Sequence, residues 1–389
     1  MKSVSTAALA QSDSAQPQPM AGEPRFIPLQ SEPRWNGCGQ PAAVHACTLV
    51  KHRGRQVLTA LRTTDDRARL YSWRINADGA VLCTGSSDVP NADVVQVELV
   101  RAQHYVTASR TADGALHLQY WDVSNTGAIY AGSPVTTVQE HLTWFSLLAL
   151  APDRLLTIGL SRHGRWHLTT WSVGDDAPRA LAQQTLAAAT GAMAATLLPP
   201  ATAEGPLAFV TVLHSGPNRL RWLHWHCLPD GQLALHTQVE HDCTQVIGLA
   251  LTTVQQTLVT VLHHANGQLQ VITGWPTIDA VNAPTRLAQR VQHFAVGTTD
   301  DAHQLAVATL AAPAPTTVAQ AAPPPLTLRC WQPTAQEWVP CGHGTLAILG
   351  ATDLTLCNQP LDGNAPFLMA VATASGALQL VTWGDTLVT

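Results

Sequence analysis

Lysine is almost missing from this chain: only Lys2 and Lys51 occur in 389 residues, and the rest of the 21 basic residues are arginines. Against 26 acidic residues this leaves a formal charge of -5 with no strong basic block. That balance argues against nucleic-acid binding and against a polybasic membrane patch. Charge of either sign is scarce, at 12%, while hydrophobic residues reach 46%, far from the composition of a disordered chain and enough for an extensive core. Long apolar runs are missing too. The most hydrophobic stretch, GAMAATLLPPATAEG at 191–205, is broken by a proline pair, so neither a transmembrane helix nor membrane insertion is expected. The eight cysteines, at 38, 47, 83, 227, 243, 330, 341 and 357, include no C-x-x-C, which removes the zinc ribbon and the thioredoxin motif and leaves buried thiols as the reading for most of them. Neither a G-x-S-x-G element nor a phosphate-binding glycine loop occurs. No cofactor is called for.

What the chain does have is a tryptophan with a period. Trp73, Trp121, Trp171, Trp225, Trp275, Trp331 and Trp383 each close a run of alternating apolar residues, at intervals of 48, 50, 54, 50, 56 and 52 residues. Ahead of them lies a second run of the same kind, as in YVTASRTADGALHLQYW, LLTIGLSRHGRWHLTTW and LVTVLHHANGQLQVITGW. Alternation of this sort, with β-branched residues and turns at ADGA, HANG and TASG, predicts strands joined as hairpins. A further apolar segment precedes each hairpin (ADVVQVELV at 92–100, TQVIGLALT at 244–252) and another follows the tryptophan (GAIYAG at 127–132). No helical periodicity is sustained. Four short antiparallel strands per unit of about fifty residues, seven times over, predict an all-β, seven-bladed β-propeller.

The last unit is short by one strand, because only six residues follow Trp383. The missing segment is found at the other end, where PRFIPLQS at 24–31 sits in phase, with Ile27 46 residues before Trp73. It is expected to complete the seventh blade and tie the ring shut.

On these repeats the chain resembles the seven-bladed β-propeller repeat proteins over residues 24–389. The tryptophan near the end of the third strand is similar to that of the WD repeat, yet the Trp-Asp dipeptide occurs once, at Trp121-Asp122, and Gly-His once, at Gly342-His343. The absence of a Gly-Gly doublet separates the chain from kelch repeats. The unit V-T-A-x-R-x-x-x-G-x-L-x-L-x-x-W looks like that of bacterial-type repeat propellers, and the resemblance carries no catalytic residues with it.

Several residues could carry chemistry. His224 and His226, in RLRWLHWHC, share a strand face because side chains repeat every two residues, so they are read either as structural or surface residues or as candidates for half of a metal site with a further ligand from an adjacent blade. Arg162 and His163 in SRHGRW, with His263-His264, are read as solvent-facing turn residues and candidate binding groups. Thr59, Thr107, Thr157, Thr211 and Thr260 occupy equivalent strand positions, where a hydroxyl can meet an indole N–H or a neighbouring blade. The polar position four before the tryptophan, filled by Arg69, His117, His167, Arg221, Thr327 and Gln379, is expected to bridge blades. Cys330 and Cys341 bracket a hairpin symmetrically, which could set them opposite each other on neighbouring strands, and an oxidising compartment would allow a disulfide there.

Residues 1–23 read as a disordered leader, in which A-L-A at 8–10 imitates a signal cleavage site after an apolar segment too short for one. That leaves a soluble protein of the cytoplasm, or an exported one with a clipped signal. The Pro/Ala-rich stretch at 312–325 reads as an extended loop on blade six. The function expected is a non-enzymatic binding or scaffolding propeller with a protein partner. The alternatives are a carbohydrate-binding propeller, or a hydrolase or lyase with its site at the axial channel.

Overall fold

The computed structural model describes residues 25–30, 33–35, 38, 40–41, 44–51, 56–63, 67–76, 80–90, 92–132, 136–138, 141–174, 177–186, 193–199, 205–216, 218–274, 284–299, 303–312, 325–334, 337–358 and 367–385. The expected leader at 1–23, Trp275 and all but the edges of the 312–325 stretch lie outside them. Among the described residues there is no helix, and hence none long and apolar enough to cross a membrane. The chain folds into seven antiparallel sheets arranged as the blades of a propeller.

Strand β1 (Phe26–Gln30) belongs to the last blade. Blade one is β2 (Val44–Lys51), β3 (Gln56–Thr63), β4 (Ala68–Ile75) and β5 (Val81–Val89). Blade two is β6 (Val94–Arg101), β7 (His104–Arg110) and β8 (Leu116–Val123), with a split outer strand, β9 (Ile129–Ala131) and β10 (Thr136–Val138). Blade three is β11 (Leu142–Ala151), β12 (Arg154–Ser161), β13 (Trp166–Ser172) and β14 (Arg179–Leu186). Blade four is β15 (Met193–Leu197), β16 (Leu207–Gly216), β17 (Arg219–Cys227) and β18 (Leu233–Asp242). Blade five is β19 (Val246–Val254), β20 (Thr257–His264), β21 (Leu269–Thr273) and β22 (Thr285–Ala288). Blade six is β23 (Val291–Thr298), β24 (Leu305–Ala311), β25 (Pro325–Pro333) and β26 (Trp338–Ala347). Blade seven is β27 (Ala351–Asn358), β28 (Phe367–Thr373), β29 (Leu378–Asp385) and β1. The first strands β2, β6, β11, β15, β19, β23 and β27 touch one another in a closed ring around the axis.

The closure runs as the spacing requires. β1 pairs antiparallel with β29, Phe26 opposite Asp385 and Ile27 opposite Gly384. Phe26 is 8% exposed and Ile27 49%, so alternation drives one side chain inward and leaves the other in water. The inward ring meets Phe367 edge-on at 5.9 Å and lies over Gly342 of blade six, where a Cβ would come within 2.6 Å of it. Strand β1 therefore seals the seam between blades six and seven.

Between blades the core is made by the middle strands, each seam having its own apolar cluster. The repeated tryptophans are buried in it: Trp73, Trp121, Trp171, Trp225, Trp331 and Trp383. A buried indole N–H needs an acceptor, and the threonines provide it. Trp73 donates to Thr59, Trp121 to Thr107 and Trp171 to Thr157, each at 2.9 Å, and Trp225 to Thr211 at 3.1 Å. In blade five the hydroxyl of Thr260 instead accepts from Trp222 of blade four, at 3.0 Å. The corresponding residue of blade seven is Met369, and the buried Trp383 N–H has no acceptor among the described residues.

At three of the positions four before the tryptophan the side chain meets a partner on the outer strand of its own blade. Arg69 pairs with Asp88, Arg221 with Glu240, and His167 meets Thr185 at 3.2 Å. Each partner lies directly opposite on the outer strand, where cross-strand neighbours are closer than any group of the next blade. The blades are latched by other groups. Gln96 of β6 spans to blade three, its carbonyl accepting from Leu147 N–H at 2.9 Å, and Asp353 of β27 accepts from Cys47 N–H of blade one at 3.3 Å. Thr170 donates to the carbonyl of Gly231 in the next blade at 2.6 Å, and Ser72 does the same to Gly127.

Candidate functional site

On β17 the residues Trp222, His224 and His226 share one face by alternation, and the Trp222–Thr260 bond fixes it as the face turned toward blade five. Opposite them on β18 the ladder is interrupted: Trp225 pairs with Leu235 and His224 with Thr237, which leaves His236 as the extra residue of a β-bulge. A bulge re-aims the side chain it inserts, and here it delivers a third imidazole. The ligating nitrogens of His224, His226 and His236 lie within 4.8 Å of one another. The ring centroids of His224 are 4.8 Å from those of His226 and 5.0 Å from those of His236, and His226 stacks on His236 at 4.6 Å. The group is graded outward, with His224 buried, His226 half-buried and His236 exposed. Burial pulls His224 down to about 4, with the proximity of His226 and His236 adding to it. His226 is lowered too, by burial first and then by His236. At neutral pH His224 is therefore an uncharged imidazole with a lone pair to offer.

The expectation for this stretch named His224 and His226 and looked to an adjacent blade for a third ligand. The structure puts a third histidine on the adjacent strand of the same blade. Counting outward from the Asp230-Gly231 turn would have found it, since the hairpin sets residue 226 against 234 and so brings 236 beside 224.

A second feature lies on the same seam, near its opposite end. A cleft of about 610 Å³ opens between blades four and five. It is bounded by Asn218 in the β16–β17 turn, by His241 and Gln245 where β18 leads into β19, and by His264, Gln268 and Gln270 of the β20–β21 hairpin. Buried Leu262 and Ile272 add an apolar lining. His264 is fixed there, its Nδ1 2.8 Å from the Thr244 carbonyl and its Nε2 meeting the Gln270 amide at 3.0 Å.

The other expected binding groups divide. Arg162 and His163 occupy the exposed β12–β13 turn, where the Arg162 guanidinium donates to the Asp113 carbonyl of blade two at 3.1 Å. His263, expected to face solvent in a turn, lies on β20 and is 6% exposed, its Nε2 2.8 Å from the Val291 carbonyl of blade six. Strand alternation places it on the face that blade six covers, and burial lowers its pKa. Cys330 and Cys341 meet as the symmetry of their hairpin requires. Cys330 pairs with Gly342, and Cys341 is the bulged residue beside it; the two are thiols with no disulfide between them.

Toward the axis, the first strands carry Glu98 on β6, His293 on β23 and Asp353 on β27. Asp353 also accepts from its neighbour Leu354 N–H at 2.9 Å, so that carboxylate is already engaged with two backbone amides. Burial raises it, and the amides and His293 oppose the rise.

No family model matches the chain and no curated protein matches it. Solved structures do match, at low identity. Saccharomyces cerevisiae Sqt1 is similar with a TM-score of 0.52 and 11% identity, over 91% of this chain and 99% of that one. Chaetomium thermophilum Raptor gives 0.57 and 11% over 94% of this chain but only 30% of its own length. The periplasmic gluconolactonase PpgL of Pseudomonas aeruginosa gives 0.52 and 13%, over 76% of this chain and 86% of that one. At such identities the likeness is one of fold alone, that of the β-propeller.

Proposed function

We propose that the chain is a non-enzymatic binding propeller that receives a protein partner at the cleft between blades four and five and serves as a scaffold within a larger assembly. What carries the proposal is the cleft itself, a space of about 610 Å³ between two sheets. That is within the range of ligand sites, which favour rigid concave surfaces with a few convergent polar groups. Its amides and imidazoles offer both donors and acceptors, as a peptide backbone demands, and its apolar base can take a side chain. The axial carboxylate Asp353, held by two amides, fits a structural part better than a catalytic one. The described repeat tryptophans are buried as core, which supports a protein partner over a sugar-stacking surface.

The test is a photo-crosslinking residue placed at Gln268 and, as control, at Arg179 on the exposed outer strand of blade three. Mass spectrometry of the adducts formed in the native host should find one protein enriched at position 268 over 179. Equal labelling at both positions contradicts the proposal. Oligosaccharide capture on a glycan array, abolished by Gln268→Ala and Gln270→Ala, transfers it to the carbohydrate alternative.

A further inference from the structure

We infer that His224, His226 and His236 form a binding site for a divalent transition-metal ion of the zinc class, with three imidazole ligands and a fourth position open to solvent. The site lies at the end of the seam away from the cleft and does not depend on the proposed partner.

The donor set selects the ion. Three imidazoles without a carboxylate suit zinc, copper, nickel or cobalt and offer nothing to calcium or magnesium. The geometry is near to what such an ion needs. Bonds of about 2.1 Å in a tetrahedron hold ligand nitrogens about 3.4 Å apart, and the three nitrogens here lie within 4.8 Å of one another. Rotations of the half-buried His226 and the exposed His236 close that difference, while buried His224 stays in place as the anchor. All three stand on strands and not on loops, and the bulge pins the third, so the backbone is set before the ion arrives. The outward grading of burial gives a route of entry and leaves a position for water.

The place of the cluster in the repeat points the same way. In blades one, three, four and six a bulge follows the residue before the tryptophan, and it brings two side chains together: Ser72 with Thr84, Thr170 with Leu181, His224 with His236, and Cys330 with Cys341. In blades one and three the first member is a hydroxyl that latches to the next blade's turn, Ser72 to Gly127 and Thr170 to Gly231. In blade four two imidazoles stand at this position, and a third, His226, is added from the same strand. A latch needs one short donor, so three rings here exceed what the fold requires.

The experiment uses the full chain without an affinity tag, stripped with a chelator. Zinc is titrated by calorimetry and against a chromophoric chelator, and cobalt is added as a spectroscopic stand-in. One equivalent of zinc should bind, and cobalt should give the visible bands of a four-coordinate ion with nitrogen ligands and no thiolate charge-transfer band. His236→Gln should weaken zinc by at least about 100-fold, since even the loss of a hydrogen-bond partner behind a ligand costs 10- to 100-fold. Because His236 is exposed, that variant should keep the wild-type melting temperature in chelator; His226→Gln is the second variant should it not. No stoichiometric binding overturns the inference. So does zinc affinity unchanged in both variants, or a thiolate band that disappears in Cys330→Ser/Cys341→Ser.

Discussion

Replacing Phe26 with alanine should loosen the ring at its one seam closed by the N-terminal strand. The side chain is 8% exposed, packs edge-on against Phe367 at 5.9 Å, and covers Gly342 closely enough to exclude a Cβ there. Truncating a buried phenylalanine costs about 3–5 kcal/mol. Strand β1 is an edge with room to relax, so the lower end, about 3 kcal/mol, is expected. An unfolding entropy of about 2 cal/mol/K per residue, taken over 389 residues, gives roughly 0.8 kcal/mol per degree. The melting temperature should then fall by about 4 °C, with a matching fall in the urea midpoint. The control is Ile27→Ala on the same strand, where a side chain 49% exposed should cost no more than about 0.5 kcal/mol. Gly342→Ala, which pushes a methyl into the Phe26 ring, should resemble Phe26→Ala. If Phe26→Ala and Ile27→Ala shift the urea midpoint equally and slightly, β1 does not seal the ring and the packing argument is wrong.

Three further outcomes are expected. Thr211→Val keeps the shape of the side chain but strands the buried Trp225 N–H, now bonded at 3.1 Å; it should cost about 1–2 kcal/mol in urea denaturation, whereas Thr237→Val on the exposed outer strand should cost almost nothing. Burial pushes the Glu98 carboxyl up to about 8 from an ordinary 4.5, so between those values the folded chain holds a proton that the unfolded chain has released. Stability should therefore decline as pH rises from about 4.5 to about 8 and then level off, and Glu98→Gln should flatten that part of the melting-temperature profile; a variant with an unchanged slope refutes the assignment. A mild thiol oxidant should join Cys330 to Cys341, which lie side by side at a bulge, and peptide mapping that finds neither residue in that linkage would count against their juxtaposition.

The ring and its closure were legible because both follow from counting. A tryptophan every fifty residues marks the blades, and the phase of Ile27 relative to Trp73 marks the closing strand. The threonines were legible in part. Their pairing with the indole N–H is local to one hairpin, but the exchange at Thr260, which serves Trp222 of the blade before, depends on which blade presses against which. The histidine site shows a different limit. Symmetry about a turn pairs Cys330 with Cys341, and the same count about Asp230-Gly231 pairs His224 with His236. His236 stands outside the run of apolar residues that marks β17, so composition did not point to it. His263 was misplaced because His263-His264 looks like a turn doublet, while β20 runs to its last histidine and alternation buries only the first. At Arg69, Arg221 and His167, four before the tryptophan, a partner lies directly opposite on the outer strand of the same blade, which counting along the chain does not reveal.

The register of the closing strands has a mechanical consequence. Phe26 lies opposite Asp385, so the two strands enter and leave their ladder at the same end. A pull that separates the flanking chain at 25 from that at 385 loads the β1–β29 hydrogen bonds one after another, as a zipper is opened, instead of all together in shear. The ring is thus closed most firmly against heat and denaturant, which must expose Phe26 to open it, and least firmly against force applied through its two ends. A partner that held both ends apart would unfasten blade seven first, while the other six blades, each a single run of chain, would keep their strands.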